Sequence, residues 1–204
     1  MTRYRGPRVK ICRSLGVELP GLTRKKITRN TPPGMHGATK KTKSSDYKIR
    51  LKEKQKLRYH FGILEGQLKI YMTEAVRRKG PTGNNLITLL ESRLDNIVWR
   101  LGFAPTIPAA RQMVVHGHIL VNGKRVDRPS YQVKVNSDIA ICDKIRKKDW
   151  VIARLAEGTS RSIPGYLQND LAEASGKVIQ APLVTDLPLD VDLQQVVEFY
   201  SQML

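Results

Sequence analysis

Arg100 to Val126 reads RLGFAPTIPAARQMVVHGHILVNGKRV, a helix end, a second helix and a tight hairpin in one short run. Upstream of it, Leu86, Leu90, Leu94, Ile97, Val98 and Leu101 recur at the three- and four-residue steps that line one helix face, which predicts a helix over Leu86–Leu101. Gly102 stands where a C-cap glycine belongs, with Pro105 just beyond it. Thr106 can cap the next helix, and Pro108 suits a first turn in which its missing N–H goes unused, so a short helix is expected from Pro108 to about His116. Ile119-Leu120-Val121 then faces Arg125-Val126 across Asn122-Gly123, the dipeptide of a two-residue type I′ hairpin. Downstream, Ser130–Val135 alternates like a strand, Asn136-Ser137-Asp138 is turn chemistry, and Ile139–Ile141 is another short strand.

Cations and hydrogen-bonding groups edge this scaffold. Arg100, Arg111, His116, His118, Lys124 and Arg125 are expected to form one RNA-facing surface with no catalytic group among them, and Gln112, Asn122, Ser130 and Tyr131 are further candidate contacts. Guanidinium and ammonium groups neutralise phosphates, and a neutral imidazole can donate to RNA or stack on it without metal or protonation. His116 and His118 flank Gly117, where the turn from helix to strand is expected to leave backbone N–H groups free for phosphates. The plainer alternative is that the histidines satisfy local backbone groups.

The charge balance points the same way. The 204 residues carry 36 Lys and Arg against 18 Asp and Glu, a formal charge of +18, and such a field binds polyanions. It is uneven: residues 1–60 hold 18 basic and 3 acidic side chains, whereas 157–204 hold 2 and 7. The acidic end is therefore not expected to lie on nucleic acid. The charged start is not followed by the apolar core of a signal peptide, and no apolar run reaches the roughly 18 residues of a membrane span, so no membrane partner is expected. Cys12 and Cys142 are read as free thiols of a reducing compartment.

Met1–Ser45 has little periodicity and much punctuation, as in Pro32-Pro33-Gly34. It reads as a basic arm, residues 1–44, that orders on RNA, with Tyr4, Ile11, Leu15, Leu19 and Leu22 spaced as anchors and Arg3, Arg5, Arg8, Lys10, Arg13, Lys25, Lys26, His36, Lys40 and Lys41 as its contacts. Ser45 or Asp46 then caps a helix through Arg58 or His60, on which Lys52, Lys54, Lys56, Arg58 and Tyr59 are further candidate contacts. A second helix follows from Leu64 to about Lys79. After the hairpin region, Lys144, Arg146, Lys147 and Lys148 make a basic cluster ahead of a helix over Trp150–Glu157. Val178-Ile179 could add an edge strand, and an amphipathic helix over Val191–Tyr200 must bury its apolar face, with the helices before Gly80 as its partner. The class is α+β and mostly helical.

Enzyme chemistry finds no constellation. Phosphate-cradling and dinucleotide glycine fingerprints are missing, and His116 and His118 have no cysteine or carboxylate at metal spacing, so no catalytic residue, cofactor or metal is expected. Asp95 is better explained by a salt bridge to a nearby arginine than as a base.

RLDNIVWRLG followed by AARQMVVHGHILVNGKRV resembles the RNA-binding module of the ribosomal S-four family, a module that pseudouridine synthases and some tRNA synthetases also carry. MTRYRGPRVKICRSLG, PPGMHG, LKEKQKLRYHFGILEGQL and VEFYSQ extend the resemblance, in order, across nearly the whole chain, with the YRGPR start and LPGLT run most similar to cyanobacterial and chloroplast versions. The resemblance implies a structural constituent of the small ribosomal subunit, in the chloroplast stroma or bacterial cytoplasm. It implies binding to the five-prime domain of small-subunit ribosomal RNA at a multi-helix junction early in assembly. It also implies a place where messenger RNA enters the subunit and an interface with a neighbouring ribosomal protein that bears on accuracy. The implied architecture is a helical domain over 45–89, completed by 189–204, with the module and its extension inserted as 90–188. A free-standing RNA-binding regulator or modification factor is the alternative, although the chain has no room for the further catalytic domain such an enzyme would need. Family members with a zinc-binding cysteine cluster in the arm differ from this chain, which has only Cys12 there, and Asn136-Ser137-Asp138 replaces the usual Pro-Gly-Asp turn.

Overall fold

The computed structural model describes residues 4–39, 45–157 and 162–201. The chain divides into two compact units, Met1–Leu86 with Pro188–Leu204 and Ile87–Leu187.

The first unit is helical: α1 (Arg8–Leu15), α2 (Asp46–His60), α3 (Glu65–Arg77) and, from the far end of the chain, α9 (Leu193–Ser201). The Ser45 side chain accepts from the Lys48 N–H and so caps α2. Leu57, Phe61, Leu68, Tyr71 and Met72 are buried in this unit together with Val196, Phe199 and Tyr200 of α9. α9 packs on α2 and α3, the partner its apolar stripe demanded. The segment before Ser45 differs from the expectation of an irregular arm. It contains α1, which buries Ile11 and Cys12 and packs on α2, while Leu19 and Leu22 are buried beyond it. An eight-residue helix is too short to persist alone, so burial of this apolar side is what holds it.

The second unit takes the latter half of α4 (Thr82–Glu91), then α5 (Leu94–Arg100), α6 (Ile107–Val115), β1 (Ile119–Val121), β2 (Lys124–Arg125), β3 (Asp138–Ile141), α7 (Asp143–Arg146), α8 (Asp149–Ala156), β4 (Leu167–Asp170) and β5 (Ser175–Val178). The strands form one antiparallel sheet in the order β2-β1-β3-β5-β4. Leu94, Ile97, Val98 and Leu101 of the α5 region, Ala110 and Val114 of α6, and Ile119, Ile139, Ile141 and Val178 of the sheet share one core. Each of these leucines, isoleucines and valines contributes about 1.5–3 kcal/mol when fully buried, and Ala110 less.

Three sequence expectations are corrected here. The single helix over Leu86–Leu101 is broken at Ser92-Arg93. Arg93 is extended and bridges Gln132, and the carbonyls of Tyr131 and Pro129 accept from the Leu94 and Asp95 N–H groups, capping α5 from a distant loop. Ser130–Val135 is consequently a docked loop rather than a strand, its backbone groups serving the helix break. Val178 lies on an interior strand, because β4, with no marked sequence pattern, covers it.

Candidate nucleic-acid interface

The α6–β1–β2 corner forms as the sequence dictates. The Ala109 N–H donates to the Thr106 hydroxyl, and Asn122 and Gly123 both have positive φ (50° and 75°), as a type I′ turn requires. Gly117, at φ 69°, closes α6: its N–H donates to Val114 O at 2.8 Å and the His118 N–H to Met113 O at 3.0 Å. These two bonds correct the expectation of free N–H groups at this corner, since the helix end consumes both. What the corner offers a phosphate is side chains. Arg125 Nη2 donates to His116 O at 3.3 Å, and a Cβ on Gly117 would overlap the Arg125 guanidinium, which therefore lies across the bare glycine backbone. The His116 and His118 rings meet edge to face with centroids 5.6 Å apart. Burial holds the His118 imidazole below the usual histidine range, and the neighbouring His116 and Arg125 push in the same direction. Gln112, Asn122, Lys124, Ser130 and Tyr131 are exposed, the last to 40%. The Asn122 side chain is also structural, accepting from the Asp138 N–H at 2.8 Å.

Arg100 belongs elsewhere. Its side chain is 8% exposed and forks onto Glu91, with Nε to Oε2 at 3.1 Å and Nη2 to Oε1 at 2.8 Å, and Nη2 also donates to Asp186 O. The Glu91 carboxylate, wholly buried, is completed by Asn96 Nδ2 at 2.7 Å and the Tyr166 hydroxyl at 2.9 Å. Burial, then the charge of Glu91, raises the Tyr166 hydroxyl far above the ordinary tyrosine range. Arg100 is thus part of a buried polar network and not of an RNA-facing surface. The same logic governs Asp95, on which Arg93 forks at 3.0 and 2.6 Å while the half-exposed Arg111 approaches at 3.6 Å.

In the helical unit, Lys54 is 5% exposed, bonded to Glu65 at 2.8 Å and set over the Phe199 ring, so it too leaves the surface set. Burial raises the Glu65 carboxyl, but hydrogen bonds from Lys54 and Tyr200 outweigh that and leave it below the usual carboxylate range. Lys56 pairs with Glu53 at 2.6 Å and Arg58 with Gln55 at 3.1 Å, while Lys52 and Tyr59 are half-buried on the same helix. Arg5, Lys10, Lys25, Lys26 and His36 are exposed, whereas Arg8 and Arg13 donate to carbonyls of Leu22 and of Thr31 and Pro32. Arg3, Lys40 and Lys41 lie outside the described residues.

Two family models meet end to end on this chain. Residues 3–91 match the ribosomal protein S4/S9 N-terminal domain, and residues 92–139 match the S4 domain. The small ribosomal subunit protein uS4 of Methylobacillus flagellatus is 46% identical over 206 residues, covering 100% of both chains. That of Synechococcus sp. strain JA-3-3Ab is 49% identical with the same coverage, and uS4c of Chlorella vulgaris is 49% identical over 99% of each chain. The chain belongs to the uS4 family.

Within this uS4-family chain, the S4-domain match contains the α5–α6–hairpin corner and ends at residue 139, before α7 and α8. Cationic side chains beyond the expected contacts, Arg128 and Lys134 on the loop between β2 and β3 and Lys144, Lys147 and Lys148 around α7, are exposed. Their signal was the local charge run, which spacing alone does not separate from an ordinary solvated face. Among the described residues, no group of three or more His, Cys, Asp or Glu side chains is arranged to hold a metal ion, and no helix is long and apolar enough to cross a membrane.

Proposed function

We propose that this chain is a structural, non-catalytic constituent of the small ribosomal subunit that binds small-subunit ribosomal RNA directly. The full-length likeness to uS4 proteins of bacteria and a chloroplast carries this reading. In it, the α6–β1–β2 corner supplies Arg111, Gln112, His116, His118, Lys124 and Arg125, with Ser130 and Tyr131 beside them, and the exposed cations before residue 40 supply a second set. Further expectations are a site in the five-prime domain of that RNA, action early in subunit assembly, and a place near incoming messenger RNA beside a neighbouring ribosomal protein. The location is the ribosome of a chloroplast stroma or a bacterial cytoplasm. Binding to phosphates releases counterions, so affinity falls steeply with salt, by about 0.9 log unit per log unit of salt for each contact. The test is whether the tagged full-length chain stays with small subunits through a high-salt wash and binds a five-prime-domain transcript in preference to a transcript of another domain. Loss of the chain in the wash together with equal affinity for both transcripts would point to a free-standing regulator instead.

A further inference from the structure

Lys144 to Lys148 and the helix after them form a charged, partly apolar surface that the S4-domain match does not include. Four arginines of this unit already have partners: Arg93 with Asp95, Arg100 with Glu91, Arg146 with Ala172 O, and Arg154 with Gly102 O. Lys144, Lys147 and Lys148 differ, being exposed and making no ion pair or side-chain hydrogen bond among the described residues. They are not needed to hold the fold. Next to them, Trp150 is 50% exposed and Ile152 53% exposed, on either side of the buried Val151. At about 100° per helical residue, the two apolar side chains flank the line by which α8 packs. On the Ile152 side an open groove of about 610 Å³ is lined by Asp143, Arg146, Lys147 and Ile152.

We propose that this surface is a second RNA contact of the Ile87–Leu187 unit, distinct from the α6–β1–β2 corner, at which the three lysines meet phosphates and Trp150 stacks on an unpaired base. The proposal rests on the ribosomal reading above. Three unpaired cations within five residues attract a polyanion, and a half-exposed indole gives a stacking platform that tolerates any base. The groove offers the backbone of such a strand a path past Arg146 and Lys147, with Asp143 as the acid in its lining and the exposed Asp149 as a second opposing charge beside Trp150. An acidic protein segment would answer the lysines as well, but the indole adds a reason to favour a base.

The chain carries its own reporter, because Trp99 is 1% exposed and Trp150 is not. Acrylamide quenching of the full-length protein therefore reads Trp150 over a shielded background. Adding a five-prime-domain transcript should reduce that quenching several-fold, and the reduction should vanish in Trp150→Phe. Lys144→Gln, Lys147→Gln and Lys148→Gln together should flatten the salt slope by about two units, at roughly 0.7 per lost contact on a single strand, and leave the thermal midpoint in place. A transcript that binds while Trp150 stays fully quenchable, with an unchanged slope in the triple variant, overturns the second contact and leaves the ribosomal reading standing. Protection of Trp150 only after other subunit proteins are added overturns it in favour of a protein partner. A wild-type chain that does not bind the transcript overturns both readings.

Discussion

Two groups of cations lie close together in the sequence of the second unit and do opposite things. Arg93 and Arg100, at the two ends of α5, point inward and each clamps a carboxylate that is itself fully buried. Lys124 and Arg125, on the hairpin, face water and have no carboxylate partner among the described residues. Formal charge does not separate them. What separates them is whether the fold brings an acid within reach: Glu91, at the end of α4, meets Arg100 across the helix break and Asp95 lies two residues after the extended Arg93, while the hairpin offers its cations only backbone oxygen. A basic residue in a nucleic-acid-binding protein is therefore a candidate contact only after its acids have been located.

The sharpest way to break that contrast is to remove an inward arginine. Arg100→Ala leaves Glu91 buried with only Asn96 and Tyr166 as partners, and breaking one side of a buried pair costs about 3–5 kcal/mol. Urea unfolding should show that loss, and RNA affinity measured well below the midpoint should hold. If Arg100→Ala were stable and bound RNA weakly, the inward assignment would fail.

Gly117→Ala should cost less, about 1–3 kcal/mol, because the new methyl meets the Arg125 guanidinium at a backbone φ of 69°. The clash is with the end of a flexible side chain, so part of the cost should disappear when Arg125 is also alanine. Comparing thermal midpoints of the single and double variants measures that part, and full additivity would show that Arg125 does not rest on the glycine. Lys124→Ala goes the other way: stability should stay within about 0.5 kcal/mol, while the salt slope of RNA binding drops by about 0.9. An unaltered slope would remove Lys124 from the interface.

How much of this was legible in the sequence depends on range. Short-range chemistry was readable: Thr106 caps α6, Asn122-Gly123 makes the hairpin turn, and the stripe of Val196 and Tyr200 finds α2. Long-range pairing was not. The break at Ser92-Arg93 has no proline or glycine to announce it and follows from carbonyls of Pro129 and Tyr131, more than thirty residues away. The periodicity hid it, because Leu94, Ile97 and Leu101 remain buried on both accounts. Lys54 was misplaced for a similar reason, since its partners Glu65 and Phe199 come from two other helices. β4 carried no alternation to recognise, with Leu167 its one buried residue.

The smallest expected effect tests whether the outward cations act as separate charges or as a group. Burial lowers the His118 pKa first, and the neighbouring His116 and Arg125 add to that. A histidine whose folded pKa lies below its unfolded value binds fewer protons folded than unfolded, so stability rises with pH through that interval. Acidification from the ordinary histidine value of about 6.5 toward the folded one should therefore cost stability, with the loss complete below the folded pKa. Arg125→Ala removes one of the three causes and should move the His118 midpoint upward without restoring it fully, since burial remains. A proton NMR titration of the His118 ring in the two proteins reads the difference directly. Bound RNA should shift the midpoint upward too, because a nearby phosphate favours the imidazolium. A midpoint that ignores both Arg125 and RNA would mean that the His118 ring senses only its burial, and the corner would then be a row of independent donors.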